Sequence, residues 1–266
     1  MTYQNLLVTQ RGRVTTITIN RPQVMNALDG VTQEELQSAI DAFAADANAR
    51  VCILTGAGER AFCAGSDLKS SAKFDGDGPK PAPVYPKCGY AGLAERFDLL
   101  KPLIAAVNGV ALGGGFEIAL ACDIVVASET ARFGLPEPKV GGVALGGGVH
   151  RLMRQIGPKR AMELIITARL MGAEEAERFG VVNYVVPASE LMDRANAIAD
   201  TILACSPAAI AASKQCAYDG LDEPSLAKAI AGQAGYAAFQ AYLASPDRTE
   251  GPRAFAEKRK PEWSNL

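Results

Sequence analysis

Three short segments of this chain carry side chains and turns that can do chemistry together. The first is Ala-Val-Asn-Gly-Val-Ala-Leu-Gly-Gly-Gly-Phe-Glu at 106–117, where an apolar strand runs into three glycines and a helix follows with Glu117 in its first turn. Glycines let the backbone adopt positive φ and approach a ligand closely. The new helix presents unpaired N–H groups and the positive end of its dipole. Such a turn suits a developing negative charge, with a carboxylate beside it. The second segment, Phe62–Lys69, puts the small residues Ala64, Gly65 and Ser66 at a turn after the apolar run Val51–Thr55. Two turns from separate strands can aim two backbone N–H groups at one carbonyl oxygen. The third segment, Phe133–Glu137, ends in a loop carboxylate after Pro136. It gains meaning beside the other two, because a pair of carboxylates can divide acid and base work.

Other chemistries fit less well. A phosphate loop needs G-x-x-x-x-G-K-[ST], or G-x-G-x-x-G with an acidic ribose contact further on. Neither spacing occurs in the glycine runs, and at Gly56-Ala57-Gly58 the third glycine position is Ala61. Ser66 invites a nucleophile reading, but G-x-S-x-G is absent, and nothing pairs it with the single histidine, His150. One histidine and no ligand spacing give no metal site.

Composition narrows the function class. The chain has 266 residues, 48% hydrophobic and 21% charged, with a formal net charge of -2. That size buries a large core without staples. The mild negative charge gives no electrostatic case for nucleic acid, although a local Lys/Arg cluster can still hold a small anion. The six cysteines form no C-x-x-C pair, and several lie in apolar runs such as Val-Cys-Ile-Leu at 51–54, so buried free thiols are expected. The N-terminal residues carry no basic, apolar leader and no window reaches the ~18 apolar residues of a membrane helix. A cytoplasmic location with no membrane partner is expected.

The positioning elements follow from periodicity. Leu6–Thr9 and Val14–Ile19 read as a hairpin. A helix starts at Asp29 or Thr32, where Thr32 and Glu35 have capping-box spacing. Further strands are expected at Val51–Thr55, Leu103–Val107, Ile124–Ala127 and Val181–Val186, with a helix starting near Phe116. This succession makes an α/β layered core. Residues 73–83 are dense in Pro, Gly and polar side chains and read as a lid, followed by Tyr85 and Tyr90. Such a lid beside the Ser66 turn would wall a pocket there, which the two tyrosines would narrow. Past 190 the strand signals stop: Ser189–Ala204, Pro207–Tyr218, Ser225–Leu243 and Pro252–Arg259 read as alanine-rich helices, with Pro207 and Pro252 in first turns. The expected division is a core over 1–190 and a helical region over 191–266 that packs on the core or on another subunit.

Seven segments together resemble the crotonase (enoyl-CoA hydratase/isomerase) superfamily. They are Asn20-Arg21-Pro22, Asn26-Ala27-Leu28, Phe62–Lys69, Ala106–Glu117, Pro136-Glu137, Gly141–Gly148 and the tail from Glu250 to Lys260, in order over nearly the whole chain. The resemblance implies a spiral of ββα units with a helical C-terminal region, assembled as a trimer or a pair of trimers. It implies an acyl-CoA substrate and no separate cofactor, coenzyme A being part of the substrate. By the same resemblance the N–H groups of Ser66 and Gly114 form an oxyanion hole, and Glu117 and Glu137 match the two glutamates of the hydratases. Arg60, Ala64, Lys69 and Lys258 match coenzyme-contacting positions. Isomerase relatives commonly lack one glutamate, so the pair favours an enoyl-CoA hydratase. Glu117 is then expected to activate water and Glu137 to protonate Cα. Gly89–Leu93, Met171–Glu175 and the tail look most like the carnitinyl-CoA (crotonobetainyl-CoA) dehydratase branch, which is the alternative to a simple hydratase. One departure is Gly146-Gly147-Gly148, where relatives often have Gly-Ala-Gly-Gly.

Overall fold

The structure, a computed structural model, describes residues 2–68 and 84–264. Lys69 and the 73–83 lid lie outside the described residues. Among the described residues ten strands form two sheets. The larger runs in the order β1 (Leu6–Arg11), β2 (Val14–Ile19), β3 (Val51–Gly56), β5 (Leu103–Val107), β7 (Ile124–Ser128), β10 (Tyr184–Val186). The smaller runs β4 (Ala61–Cys63), β6 (Val110–Leu112), β8 (Arg132–Gly134), β9 (Met171–Gly172). Only the β1–β2 hairpin and the β8–β9 pair are antiparallel.

The pairs β3–β4, β5–β6 and β7–β8 each leave the large sheet and, after a short turn, enter the small one. Each pair is therefore one step of a repeat, and because β4, β6 and β8 run parallel the three turns enter the small sheet at the same end. Strands of this core are buried on both faces and read as continuous apolar runs; Leu103–Val107 is buried throughout. In the main core Phe62 and Phe133 of the small sheet and Phe116 of the helix that follows β6 are fully buried, and the Phe116 and Phe133 rings lie 5.5 Å apart. Burying three such rings stabilises the stack by roughly 1.5–3 kcal/mol each.

The first helix, α1 (Gly30–Ala45), differs from expectation at its start. Asp29 is the cap, accepting the Thr32 N–H at 2.8 Å. Glu35 makes no capping box, because its carboxylate reaches back to the N–H groups of Gln4 and Asn5. The central helix α2 (Gly114–Ala121) begins two residues before Phe116, as soon as Gly113 turns the chain at φ 54°. The expected strand at 181–186 shortens to Tyr184–Val186 because the N–H groups of Val181 and Val182 both go to the Ala176 carbonyl. That carbonyl belongs to the end of the Ala173–Phe179 helix, and the cap removes both residues from the ladder.

In the C-terminal region the helix Leu191–Leu203 lies on the far face of the large sheet. Its Leu191, Ala195 and Ala199 pack against Val14, Val51, Ile53, Ile104 and Val126. Pro207 is the first residue of the next helix, Pro207–Leu221, as expected. Pro252 sits inside the Asp247–Ala256 helix rather than in its first turn. The run 225–243 is two helices, Leu226–Gly232 and Ala237–Ala244, with a tight turn holding Gly235 and an extended Tyr236 between them. No single helix among the described residues is long and apolar enough to cross a membrane.

Candidate active site

The site is assembled where the turn after β4 meets the turn after β6. Met25 and Asn26 are consecutive residues with φ of 57° and 54°, a conformation that non-glycine residues adopt only when held there. Asn26 is held from three sides: it is fully buried, its Nδ2 donates to the carbonyls of Ala61 (2.7 Å) and Ala57 (3.0 Å), and its Oδ1 accepts the Arg21 N–H. Arg21 in turn bonds Asp29 at 2.9 Å and Asp67 at 3.4 Å. These contacts give the Asn20-Arg21-Pro22 and Asn26-Ala27-Leu28 motifs a task. They fasten the N-terminal loop under the 57–67 segment.

That fastening orients Ser66. The Leu28 N–H bonds the Gly65 carbonyl at 2.8 Å, the Asp67 N–H bonds the Leu28 carbonyl at 2.9 Å, and Ala64 N–H bonds Met25. Along an extended segment successive N–H groups alternate sides. The N–H of Ser66 therefore points away from Leu28, toward the neighbouring turn. The neighbour is the start of α2: a Cβ placed on Gly65 would stand 3.1 Å from the Gly114 nitrogen. Gly114 is the first residue of α2, so its N–H has no acceptor within the helix. Two free N–H donors thus sit side by side.

The run Gly113-Gly114-Gly115 is crowded at each position by a different neighbour. A side chain on Gly113 would meet Glu137 Oε1 at 2.8 Å, one on Gly114 would overlap the Tyr90 ring, and one on Gly115 would strike the Cys63 carbonyl. The same facts place Glu137 and Tyr90 directly against the turn. Glu137 comes from the short helical turn Glu137–Val140 after β8. Its Oε2 is buried and has no hydrogen-bond partner among the described residues. A buried carboxylate oxygen without a partner costs about 1–3 kcal/mol or more and marks a place for a ligand or water.

Glu117, in the first turn of α2, is 3% exposed. Its Oε1 accepts the Gly148 N–H at 2.8 Å. Burial raises its carboxyl to about 7, opposed by the Gly148 N–H bond and reinforced by the negative charge of Glu137. Burial also raises Glu137. Two carboxyls whose burial favours the protonated form can share proton-donor and proton-acceptor roles. The glycine turn at 146–148 closes on the same carboxylate: a side chain at Gly146 would meet Glu117 Oε2 at 2.6 Å. Among the described residues, then, Ser66, Gly114, Glu117 and Glu137 converge.

The coenzyme-contacting candidates do not converge with them in one chain. Arg60 is exposed in the turn between β3 and β4, and Ala64 lies just beyond β4 with its N–H used by Met25. Lys258 is exposed after the last helix, at φ 55°, and shares no hydrogen bond or ion pair with the 60–66 turn. Sequence reading missed Arg151, whose guanidinium bonds the Ala94 carbonyl at 2.7 Å and whose charge holds Glu117 down. Its signal was available: an arginine one helical turn after Gly148 faces back over the glycine turn.

Two sheets joined by repeated strand pairs bring together two main-chain donors and two carboxyls, Glu117 buried and Glu137 half-buried, an arrangement able to stabilise an oxyanion and to move protons. Comparison with known proteins agrees. A family model described as enoyl-CoA hydratase/isomerase matches residues 9–265. The chain is 46% identical over 264 residues to a carnitinyl-CoA dehydratase of Proteus mirabilis, covering 98% of both chains. It is 45% identical to a carnitinyl-CoA dehydratase of Escherichia coli, again over 98% of both. Among solved structures it resembles an enoyl-CoA hydratase from Mycobacterium marinum, with a TM-score of 0.89, 41% identity, and 98% and 99% of the two chains covered. An enoyl-CoA hydratase from Bacillus anthracis gives a TM-score of 0.88 at 37% identity, over 98% of this chain and 99% of that one. The chain belongs to the enoyl-CoA hydratase/isomerase family, the crotonase superfamily, and has its fold.

Proposed function

We propose that the protein is a hydro-lyase of the carnitinyl-CoA dehydratase type, adding and removing water across C2–C3 of a short acyl-CoA thioester. The observation that carries the reaction type is the pairing of buried Glu117 with the partnerless Oε2 of Glu137 beside the Ser66 and Gly114 donors. In hydration Glu117 takes a proton from water as its oxygen attacks C3. The C2–C3 electron pair moves toward the thioester, and the carbonyl oxygen becomes an oxyanion held by the N–H groups of Ser66 and Gly114. Each such donor is worth a few kcal/mol in the transition state, roughly 2.7–4. Glu137 then delivers a proton to C2. Dehydration runs the same steps backward, with C2 losing its proton to Glu137 and the hydroxyl leaving with a proton from Glu117.

Sequence reading alone put a simple enoyl-CoA hydratase first. What favours the carnitinyl branch is the 46% identity to carnitinyl-CoA dehydratases over 98% of the chain. A carnitinyl group carries a trimethylammonium on C4, next to the carbon that gains or loses oxygen. The Tyr85 and Tyr90 rings meet edge to face at 5.4 Å, and Tyr85 lies close enough to Glu117 and Glu137 for both charges to raise its hydroxyl, after burial. Aromatic faces with nearby carboxylates suit a quaternary cation. In this reading Arg60, Ala64, Lys69 and Lys258 contact the coenzyme, no added cofactor takes part, and the enzyme works in the cytoplasm. The exposed Leu221, Leu226, Ile230 and Phe255 support assembly through the C-terminal helices as a trimer or hexamer.

The test is kcat/KM for crotonobetainyl-, crotonyl- and decenoyl-CoA. The expected order is crotonobetainyl first and decenoyl last. A clear crotonyl preference returns the protein to the simple hydratases. Decenoyl-CoA as the best substrate would overturn the narrow, cation-accepting pocket.

A further inference from the structure

The Tyr90 side chain touches both halves of the oxyanion site. Its ring lies on Gly114 so closely that no side chain fits there, and its hydroxyl accepts a hydrogen bond from Ser66 Oγ at 3.2 Å. Its Cβ also packs against Gly146, in the turn that crowds Glu117. Tyr90 is 2% exposed, yet the ring alone does not need a hydroxyl to fill that space. A phenol so buried requires a polar partner, and the one it has is Ser66.

The residue is itself held firmly. It opens the short turn Tyr90–Gly92, in which Ala91 has a φ of 57°. Two side chains of α1 pin that turn: Gln33 Oε1 accepts the Ala91 N–H at 3.3 Å and Gln37 Oε1 accepts the Cys88 N–H at 2.9 Å. The chain of contacts runs from α1 through Tyr90 to the two donor turns, which come from strands far apart in sequence.

We propose that Tyr90 is a positioning residue of the oxyanion site, its ring setting the height of Gly114 and its hydroxyl fixing Ser66, so that one rigid side chain sets the spacing of the two N–H donors. This inference rests on the oxyanion reading above. It gives the Ser66 hydroxyl a purpose other than nucleophilic attack. No bond is made or broken by either hydroxyl.

The experiment uses the intact protein and two readouts. The first is the thioester C=O stretch of bound butyryl-CoA, a saturated and unreactive probe, measured by difference infrared spectroscopy. The second is steady-state hydration. Tyr90→Phe keeps the ring on Gly114 and removes only the hydroxyl. It should return part of the carbonyl downshift seen with the wild type. It should also lower kcat about fivefold, the effect of one neutral hydrogen bond, while KM changes by less than about twofold. Ser66→Ala should behave alike, and the double variant should be no worse than either single one, since both break one bond. Tyr90→Leu, which loses the ring too, should lose more of the downshift. A carbonyl stretch identical in wild type and Tyr90→Phe overturns the proposal, as does an altered melting temperature with no change in the stretch. A wild type that shifts the carbonyl through Tyr90 but hydrates no enoyl thioester supports the proposal and sinks the hydro-lyase reading instead.

Discussion

The two carboxylates stand on unlike ground. Glu117 belongs to a tightly packed region, where a side chain on Gly115 would strike a main-chain carbonyl, Phe116 is fully buried and Gly148 donates to the carboxylate. Glu137 belongs to the loop region 135–148, where Val140, Val143 and Leu145 are each more than 60% exposed and Gly141 has open space around it. Its carboxyl keeps one oxygen without a partner. The difference teaches that one carboxylate is held by the protein's own groups while the other keeps an acceptor open. Under the proposed mechanism the held group suits water activation, which needs a fixed direction, and the open one suits protonation at C2, which follows the acyl chain.

The largest effects come from the carboxylates themselves. Glu117→Gln and Glu137→Gln should each lower kcat by at least ~100-fold, the scale of lost acid–base catalysis, with affinity for acyl-CoA changing far less. Shortening by one methylene separates the two regions. Glu117→Asp moves the carboxylate away from the Gly148 N–H and should be nearly as inactive as the amide. Glu137→Asp, in the looser loop, should recover to within about tenfold of wild type. Equal losses in the two Asp variants would break the comparison.

A glycine pair gives a smaller effect. Gly114→Ala drives a methyl group into the Tyr90 ring, whereas a methyl on Gly142 meets Glu137 at an ordinary 3.5 Å. The first should cost about 1–3 kcal/mol of stability, as overpacking does, and lower kcat by about tenfold or more as the donors separate. Gly142→Ala should leave melting temperature and kcat near wild type. Thermal melts and steady-state rates check both, and similar behaviour of the two variants would mean that the donor turn is as compliant as the loop.

The smallest effect is electrostatic. Glu117 titrates near 7 because burial and the Glu137 charge disfavour its ionised form. Glu137→Gln removes one raising cause, so the Glu117 carboxyl, followed by carbon NMR, should titrate at lower pH than in the wild type. The low-pH limb of any residual activity should move the same way. An unchanged midpoint would mean that the two carboxyls do not sense each other.

Local geometry was legible in the residues. The glycine run before Glu117 announced a strand entering a helix, and Gly113 at φ 54° performs that turn. Pro136-Glu137 announced a loop carboxylate, and its residues form the expected turn after β8. Legibility ended where distant partners compete. Glu35 had the spacing of a capping residue but was taken by the N–H groups of Gln4 and Asn5, 31 and 30 residues away in sequence across the β1–β2 hairpin. Val181 and Val182 had β-branched side chains but were used to cap a helix. Pro252 lies inside its helix because the helix begins at Asp247, whose buried carboxylate ties it to Ser206 and Ser264.

The sequence by itself determined the layered α/β class, the two donor turns, the two glutamates and the family they resemble, since each depends on neighbours within about a dozen residues. Only the tertiary structure decided that the turn at Gly65 lies against Gly114, that Glu137 stops at Gly113, and that Tyr90 stands between both donors. These contacts join segments from different strands and loops. They exist because two sheets stack, so that the ends of β4, β6 and β8 arrive at one edge. Spacing along a chain does not encode that distance; the shared core in which Phe62, Phe116 and Phe133 are buried does.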